Sequence, residues 1–199
     1  MRCFLRHCMI CIIIHGCPSN AEKAMDSKTR TYDKHWRLWA KKDIEKKGFT
    51  VDAPLMPEPW DADYYLWKKE FEKLVVNRDS VLIGHSCGCS FLVRWLGETK
   101  KRCGKLILVA PWKIPYGNGQ DLEKKKRFYE YKVDEGIRNR VKEIIIFTSD
   151  NEAGEGKESA EIFHRALGGE VISLSGRGHY TLKDMKTDEF PELIDAVLR

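Results

Sequence analysis

Nowhere does the 199-residue chain hold the run of about twenty apolar residues that a membrane-spanning helix needs. The apolar start, MRCFLRHCMICIIIHG, carries Arg2 and Arg6 ahead of its core, but it is short for a signal peptide and no small-x-small cleavage site follows. It reads instead as a strand. An excess of one charge is also missing, since 35 Lys and Arg are interleaved with 30 Asp and Glu for a net +5. The basic runs Lys41-Lys42, Lys100-Lys101-Arg102 and Lys124 to Arg127 sit beside acids without a zinc-finger, RNP or helix-turn-helix pattern. Solvated helix faces are expected there, not a nucleic-acid surface. The seven cysteines, Cys3, Cys8, Cys11, Cys17, Cys87, Cys89 and Cys103, lack a framework spacing and cannot all pair, so reduced thiols in a cytoplasmic protein are expected. Cys8-x-x-Cys11 has no second ligand pair at zinc spacing, and no metal site is expected.

What is present is a packed chain. A hydrophobic fraction of 42% and six tryptophans fit one domain over residues 1–199 with a substantial core. Met9 to Ile14 is a six-residue apolar run stopped by His15-Gly16-Cys17-Pro18, as a buried parallel strand should be. A polar loop, 19–30, precedes an amphipathic helix at Asp33 to Lys47 ended by Gly48, and a strand at Phe49 to Ala53. After Pro54, Pro57 and Pro59 comes a helix at Asp61 to Val76. Strands follow at Lys105 to Ala110, Glu143 to Phe147 and Val171 to Leu174, with helices at Leu122 to Val133, Lys157 to Leu167 and Asp188 to Leu198. Strands alternating with helices predict an α/β fold, an open and mostly parallel sheet with helices on both faces and no internal repeat. Residues 112–140 read as a small lid or a long crossover.

The densest signal is SVLIGHSCGCSFLVRWL, Ser80 to Leu96. Gly84-His85-Ser86-Cys87-Gly88 fits Gly-x-Ser-x-Gly, with the apolar run Val81-Leu82-Ile83 before it and helical spacing of Phe91, Leu92, Trp95 and Leu96 after it. A strand that reverses into a helix within one residue strains that residue, and flanking glycines remove Cβ atoms that would collide. The serine hydroxyl is left at the sheet edge, where the helix aims free N–H groups and its positive dipole end. Gly-x-Ser-x-Gly alone is short enough to arise by chance; the strand before it and the helix after it make it a nucleophile elbow.

A serine nucleophile needs a base in reach and a group to orient that base. Among six histidines, only His179 lies in a loop directly after a late strand, in Ser175-Gly176-Arg177-Gly178-His179. For the acid, Asp150 follows the strand ending at Phe147, with Glu152 as its alternative; the strand before Pro111-Trp112 offers no carboxylate. Ser86, Asp150 and His179 then all fall at carboxyl ends of strands, in the chain order Ser, Asp, His of the α/β-hydrolase fold. That architecture forms its oxyanion hole from the N–H after the nucleophile, Cys87, and one from the loop after an early strand, where Pro18 has no N–H and Cys17 is the donor. Trp112, Tyr116 and Phe128 are candidates for a substrate pocket, with packing aromatics as the competing reading.

These residues resemble the α/β-hydrolase superfamily over nearly the whole chain. More narrowly, the tryptophan-bearing helix after the first strand, MPEPWDADYYLW, IIIFTSDNE and GRGHY resemble the small serine hydrolases related to retinoblastoma-binding protein 9 and the bacterial YdeN-like proteins. The resemblance implies a cofactor-free serine hydrolase with Ser86 as nucleophile, Asp150 as acid and His179 as base, acting on a small ester, thioester or amide. Cys87 and Cys89 depart from the small residues usual after the nucleophile, and Cys17-Pro18 from a glycine-rich oxyanion loop. The Leu-x-Cys-x-Glu motif tied to retinoblastoma binding is absent, so that partner is not implied. A non-catalytic binding module retaining the fold is the other function class, although a binder has no need of all three groups.

Overall fold

The computed structural model describes residues 9–18, 20 and 35–199. Cys3, Cys8, His7, the loop 19–30 apart from Asn20, and the start of the first expected helix therefore lie outside the described residues. Six parallel strands form one sheet in the order β2-β1-β3-β4-β5-β6. They are β1 (Ile10–Ile14), β2 (Thr50–Asp52), β3 (Val81–His85), β4 (Cys103–Val109), β5 (Val141–Ser149) and β6 (Glu170–Leu174). The helices are α1 (Trp36–Lys46), α2 (Tyr64–Phe71), α3 (Cys87–Thr99), α4 (Gly119–Tyr129), α5 (Gly154–Leu167), α6 (Leu182–Met185) and α7 (Pro191–Leu198). This is the expected α/β architecture.

Parallel strands covered on both faces need apolar side chains at every position, which explains why β1 and β3 read as continuous runs. Period-two alternation then divides the core. Ile12, Ile14, Leu106 and Leu108 face Trp67, Phe71, Phe91, Trp95 and Phe163 from α2, α3 and α5. Cys11, Ile13, Ile107 and Val109 face Trp36 and Ile44 from α1, Leu193 from α7 and Phe190 just before it.

Local chemistry sets the ends. Asp63 accepts hydrogen bonds from Tyr65 N (2.8 Å) and Leu66 N (2.9 Å), so α2 begins three residues later than its periodicity suggests. It also stops early: Lys73 N and Leu74 N donate back only three residues, to Glu70 O and Phe71 O, and Val75 is exposed. Similarly α4 ends at Tyr129, because Tyr131 turns inward and donates its hydroxyl to Ser90 O (2.9 Å). The short α6 was invisible to periodicity. The excursion between β4 and β5 is pinned to α3, with Trp112 N donating to Ser86 O (3.2 Å) and Ser90 Oγ to Trp112 O. Lys124 pairs with Asp61 (2.7 Å) and Lys100 with Asp134 (2.6 Å), so two of the basic runs meet acids.

Candidate active site

Between β3 and α3, Ser86 has φ 53° and ψ −120°, a left-handed conformation that a non-glycine residue adopts only when its surroundings impose it. The backbone is held on both sides: Ser86 N donates to Val109 O (3.0 Å), and Ser86 O accepts from Cys89 N (3.0 Å) and Trp112 N (3.2 Å). A Cβ on Gly84 would lie 2.7 Å from Cys89 N, and one on Gly88 would lie 2.6 Å from Ile14 O. Only glycine allows the helix to turn this tightly over its own strand and to pack its first turn on the end of β1. Ser86 thus stands at the N-terminus of a 13-residue helix.

His179 bridges two side chains. Its Nε2 accepts from the Ser86 hydroxyl at 2.8 Å, and its Nδ1–H donates to Glu152 Oε2 at 2.8 Å. The tautomer follows from the acceptor-only carboxylate on Nδ1. His179 N donates to Asp184 Oδ2 (3.1 Å), while buried His85 donates Nε2–H to His179 O (2.9 Å), so the elbow and the histidine loop are joined directly.

The carboxylate facing His179 is therefore Glu152, not the expected Asp150. Asp150 is turned to the surface, where Oδ2 accepts from Ser175 Oγ (2.6 Å) and Oδ1 from Gly176 N (2.7 Å). Those bonds hold its carboxyl below the usual range. Asn151 Oδ1 accepts from Gly178 N (2.7 Å) and Ser149 Oγ accepts from Arg177 N (2.9 Å), so the residues before Glu152 clamp the loop that carries His179. The chain turns after β5, Glu152 N donating to Ser149 O, and the side chain two residues beyond Asp150 swings inward. Glu152 is buried, and its Oε1 accepts from Ala153 N at 2.8 Å. A Cβ on Gly156 would lie 2.7 Å from its carboxyl carbon. That glycine, in the first turn of α5, leaves the space that the Glu152 side chain occupies.

Two cavities open beside Ser86. One, of about 330 Å³, is walled by Trp112, Tyr116 and Tyr129. Two of the three candidate pocket residues, Trp112 and Tyr116, line this cavity. Phe128 does not: it is buried against Trp67, ring centroids 5.4 Å apart, and Tyr129 takes its place. The other cavity, of about 190 Å³, is bounded by His15, His35, Arg37 and His85. Burial first, and then the charge of Arg37, lowers His15 to about 3 and His35 to about 4. Burial, with His179 adding to it, holds His85 well below the imidazole range. All three present neutral rings near neutral pH.

A family model described as serine hydrolase matches residues 28–197. The chain belongs to the serine hydrolase family. The crystal structure of the ydeN gene product from B. subtilis is similar at a TM-score of 0.76 and 19% identity, covering 96% of this chain and 97% of that one. Est1E from Butyrivibrio proteoclasticus is similar at a TM-score of 0.63 and 16% identity (96% and 85% covered), and the esterase EaEST from Exiguobacterium antarcticum at 0.61 and 13% (96% and 92%). At such identities the likeness speaks for the fold. No curated sequence matches the chain.

One feature of this serine hydrolase corrects the expectation of reduced thiols: Cys17 and Cys87 are joined by a disulfide, Cα atoms 6.0 Å apart and 70 residues apart in sequence. Cys11, Cys89 and Cys103 are free and buried. Among the described residues no helix is long and apolar enough to cross a membrane.

Proposed function

We propose that this hydrolase cleaves a small ester, thioester or amide through an acyl-serine intermediate, with Ser86 as nucleophile, His179 as base and Glu152 as the acid. The observation that carries this reading is the unbroken hydrogen-bonded line Ser86 Oγ, His179 Nε2, His179 Nδ1, Glu152 Oε2. In it, Nε2 takes the serine proton as Oγ attacks the carbonyl carbon, and Glu152 stabilises the imidazolium that results. His179 then passes that proton to the leaving alcohol, thiol or amine. Water follows the same route in reverse and frees the acid. As the first helical residue, Cys87 has an N–H without an intrahelical acceptor, and with the N–H of Cys17 it forms the oxyanion hole. No step calls for a cofactor.

The cavity walled by Trp112, Tyr116 and Tyr129 takes the small acyl or alcohol group, and residues 112–140 serve as its wall rather than as a lid. A small molecule, not a nucleic acid, is the substrate. We place the protein in the cytoplasm, where its free buried cysteines stay reduced and where a disulfide is of the transient, redox-responsive kind.

Labelling with a fluorophosphonate probe tests the chemistry, beside p-nitrophenyl esters of graded chain length and an aminopeptidase panel. Ser86 is expected in the labelled peptide, and Ser86→Ala to abolish both labelling and turnover. An unlabelled wild-type protein would return the fold to the class of binding modules.

A further inference from the structure

The Cys17–Cys87 pair lies where a structural staple is least needed. β1 and β3 are already in register from Cys11 with Val81 to Ile14 with Gly84, and the first turn of α3 already packs on Ile14 O and His15 O. What the bond adds is a hold on the short loop of Gly16, Cys17 and Pro18, which comes so near the nucleophile that a Cβ on Gly16 would sit 3.0 Å from Ser86 Cβ. We propose that Cys17–Cys87 is a reversible thiol–disulfide site that controls the hydrolase, active when oxidised and slowed when a cellular dithiol reduces it. The inference rests on the proposed function, because the bond ties together the two residues whose N–H groups form the oxyanion hole.

The two sulfurs are not equivalent. Cys17 is half-buried and borders both cavities beside Ser86, whereas Cys87 is fully buried. A thiolate entering by either cavity reaches Cys17 Sγ. As the new sulfur–sulfur bond forms there, the Cys17–Cys87 bond breaks and its electron pair leaves on Cys87 Sγ, at the N-terminus of α3, where the helix favours a thiolate before it is protonated. The second thiol of the dithiol then attacks its own half of the mixed disulfide and releases Cys17. The protein gains two electrons and two protons, and the dithiol becomes a disulfide.

Two unbonded thiols need more room than two bonded sulfurs. Cys87 cannot give way, because Ser86 O holds Cys89 N and Gly88 is wedged against β1. The displacement falls on Gly16, Cys17 and Pro18, and carries the Cys17 N–H away from the oxyanion. The remaining thiols among the described residues are unsuited to this role: Cys11, Cys89 and Cys103 are buried, with burial raising each, Cys103 to about 12.

The test poises the full chain in glutathione buffers and with dithiothreitol. Differential alkylation and mass spectrometry read Cys17 and Cys87, while fluorophosphonate labelling of Ser86 and kcat on p-nitrophenyl acetate are followed, with Ser86→Ala subtracted as background. Labelling rate and kcat are expected to fall together by about 10- to 100-fold as the pair is reduced, somewhat less than outright loss of one oxyanion donor, and to recover on reoxidation. The Cys17→Ala/Cys87→Ala variant, or Cys17→Ser should the double variant not fold, is expected to ignore the buffer. Equal labelling with the pair oxidised and reduced overturns the inference alone, as does a pair that stays reduced in the most oxidising buffer or a variant that responds as the wild type does. Labelling in no buffer overturns the proposed function and the inference with it.

Discussion

Replacing Glu152 by Gln is the sharpest probe of the site, because the structure dictates how the amide must sit. Ala153 N–H donates to Glu152 Oε1 at 2.8 Å and can only be met by an oxygen. The carboxamide of Glu152→Gln therefore keeps its oxygen there and turns its NH₂ toward His179 Nδ1. Nδ1 must then accept, so the ring proton moves to Nε2 and points at Ser86 Oγ, where it cannot take the serine proton. The equivalent tautomer error in the serine-protease triad costs about 10⁴-fold in kcat, or about 5.4 kcal/mol at 1.36 kcal/mol per tenfold. KM should change little and melting should stay near wild type, since size and one hydrogen bond are conserved. Asp150→Asn alters contacts to Ser149, Ser175 and Gly176 and none to His179, and is expected to leave kcat within about threefold. Gly156→Ala, which forces the Glu152 carboxyl aside, should lower kcat while the fold persists. Steady-state hydrolysis of p-nitrophenyl acetate, with a thermal melt of each variant, reads all three. If Glu152→Gln turns over within tenfold of wild type while Asp150→Asn loses about 10⁴-fold, the assignment of the acid is refuted.

The three neutral histidines predict acid sensitivity. Their folded pKa values are depressed, so the unfolded chain binds more protons below about pH 6.5, and stability present above that pH is lost as pH falls toward their folded values. In that range the unfolded chain binds up to one proton more at each ring than the folded chain does, and Tm measured from pH 7.5 to 5 should fall steeply. His35→Asn, which keeps an acceptor for Leu182 N but cannot be protonated, should flatten that slope; an unchanged slope would count against His35 as a contributor. Phe128→Ala is expected to cost about 3–5 kcal/mol in denaturant unfolding with ester chain-length preference intact. Tyr116→Ala, at the cavity mouth, should shift that preference at near-normal Tm, and the reverse pattern would exchange their roles.

Periodicity and punctuation were sufficient to determine the α/β class and the place of the elbow, because both are local. A strand buried on two faces has to be apolar throughout, and a one-residue reversal into a helix has to be flanked by glycine, so Val81 to Gly88 states its own geometry. The meeting of Ser86 with His179 was within reach for a related reason: both lie at carboxyl ends of strands in one parallel sheet. The choice of acid was not. Asp150 and Glu152 share one loop, and which of them turns inward depends on the turn after β5, on the Ser175–Gly178 loop that occupies Asp150, and on the space left by Gly156. Phe128 and Tyr129 are neighbours on α4, and only the docking of that helix against Trp67 separates the core residue from the cavity wall. The disulfide is the furthest from sequence reasoning. Cys17 and Cys87 are 70 residues apart, and they meet because the parallel pairing of β1 with β3 brings the end of one strand beside the helix that follows the other.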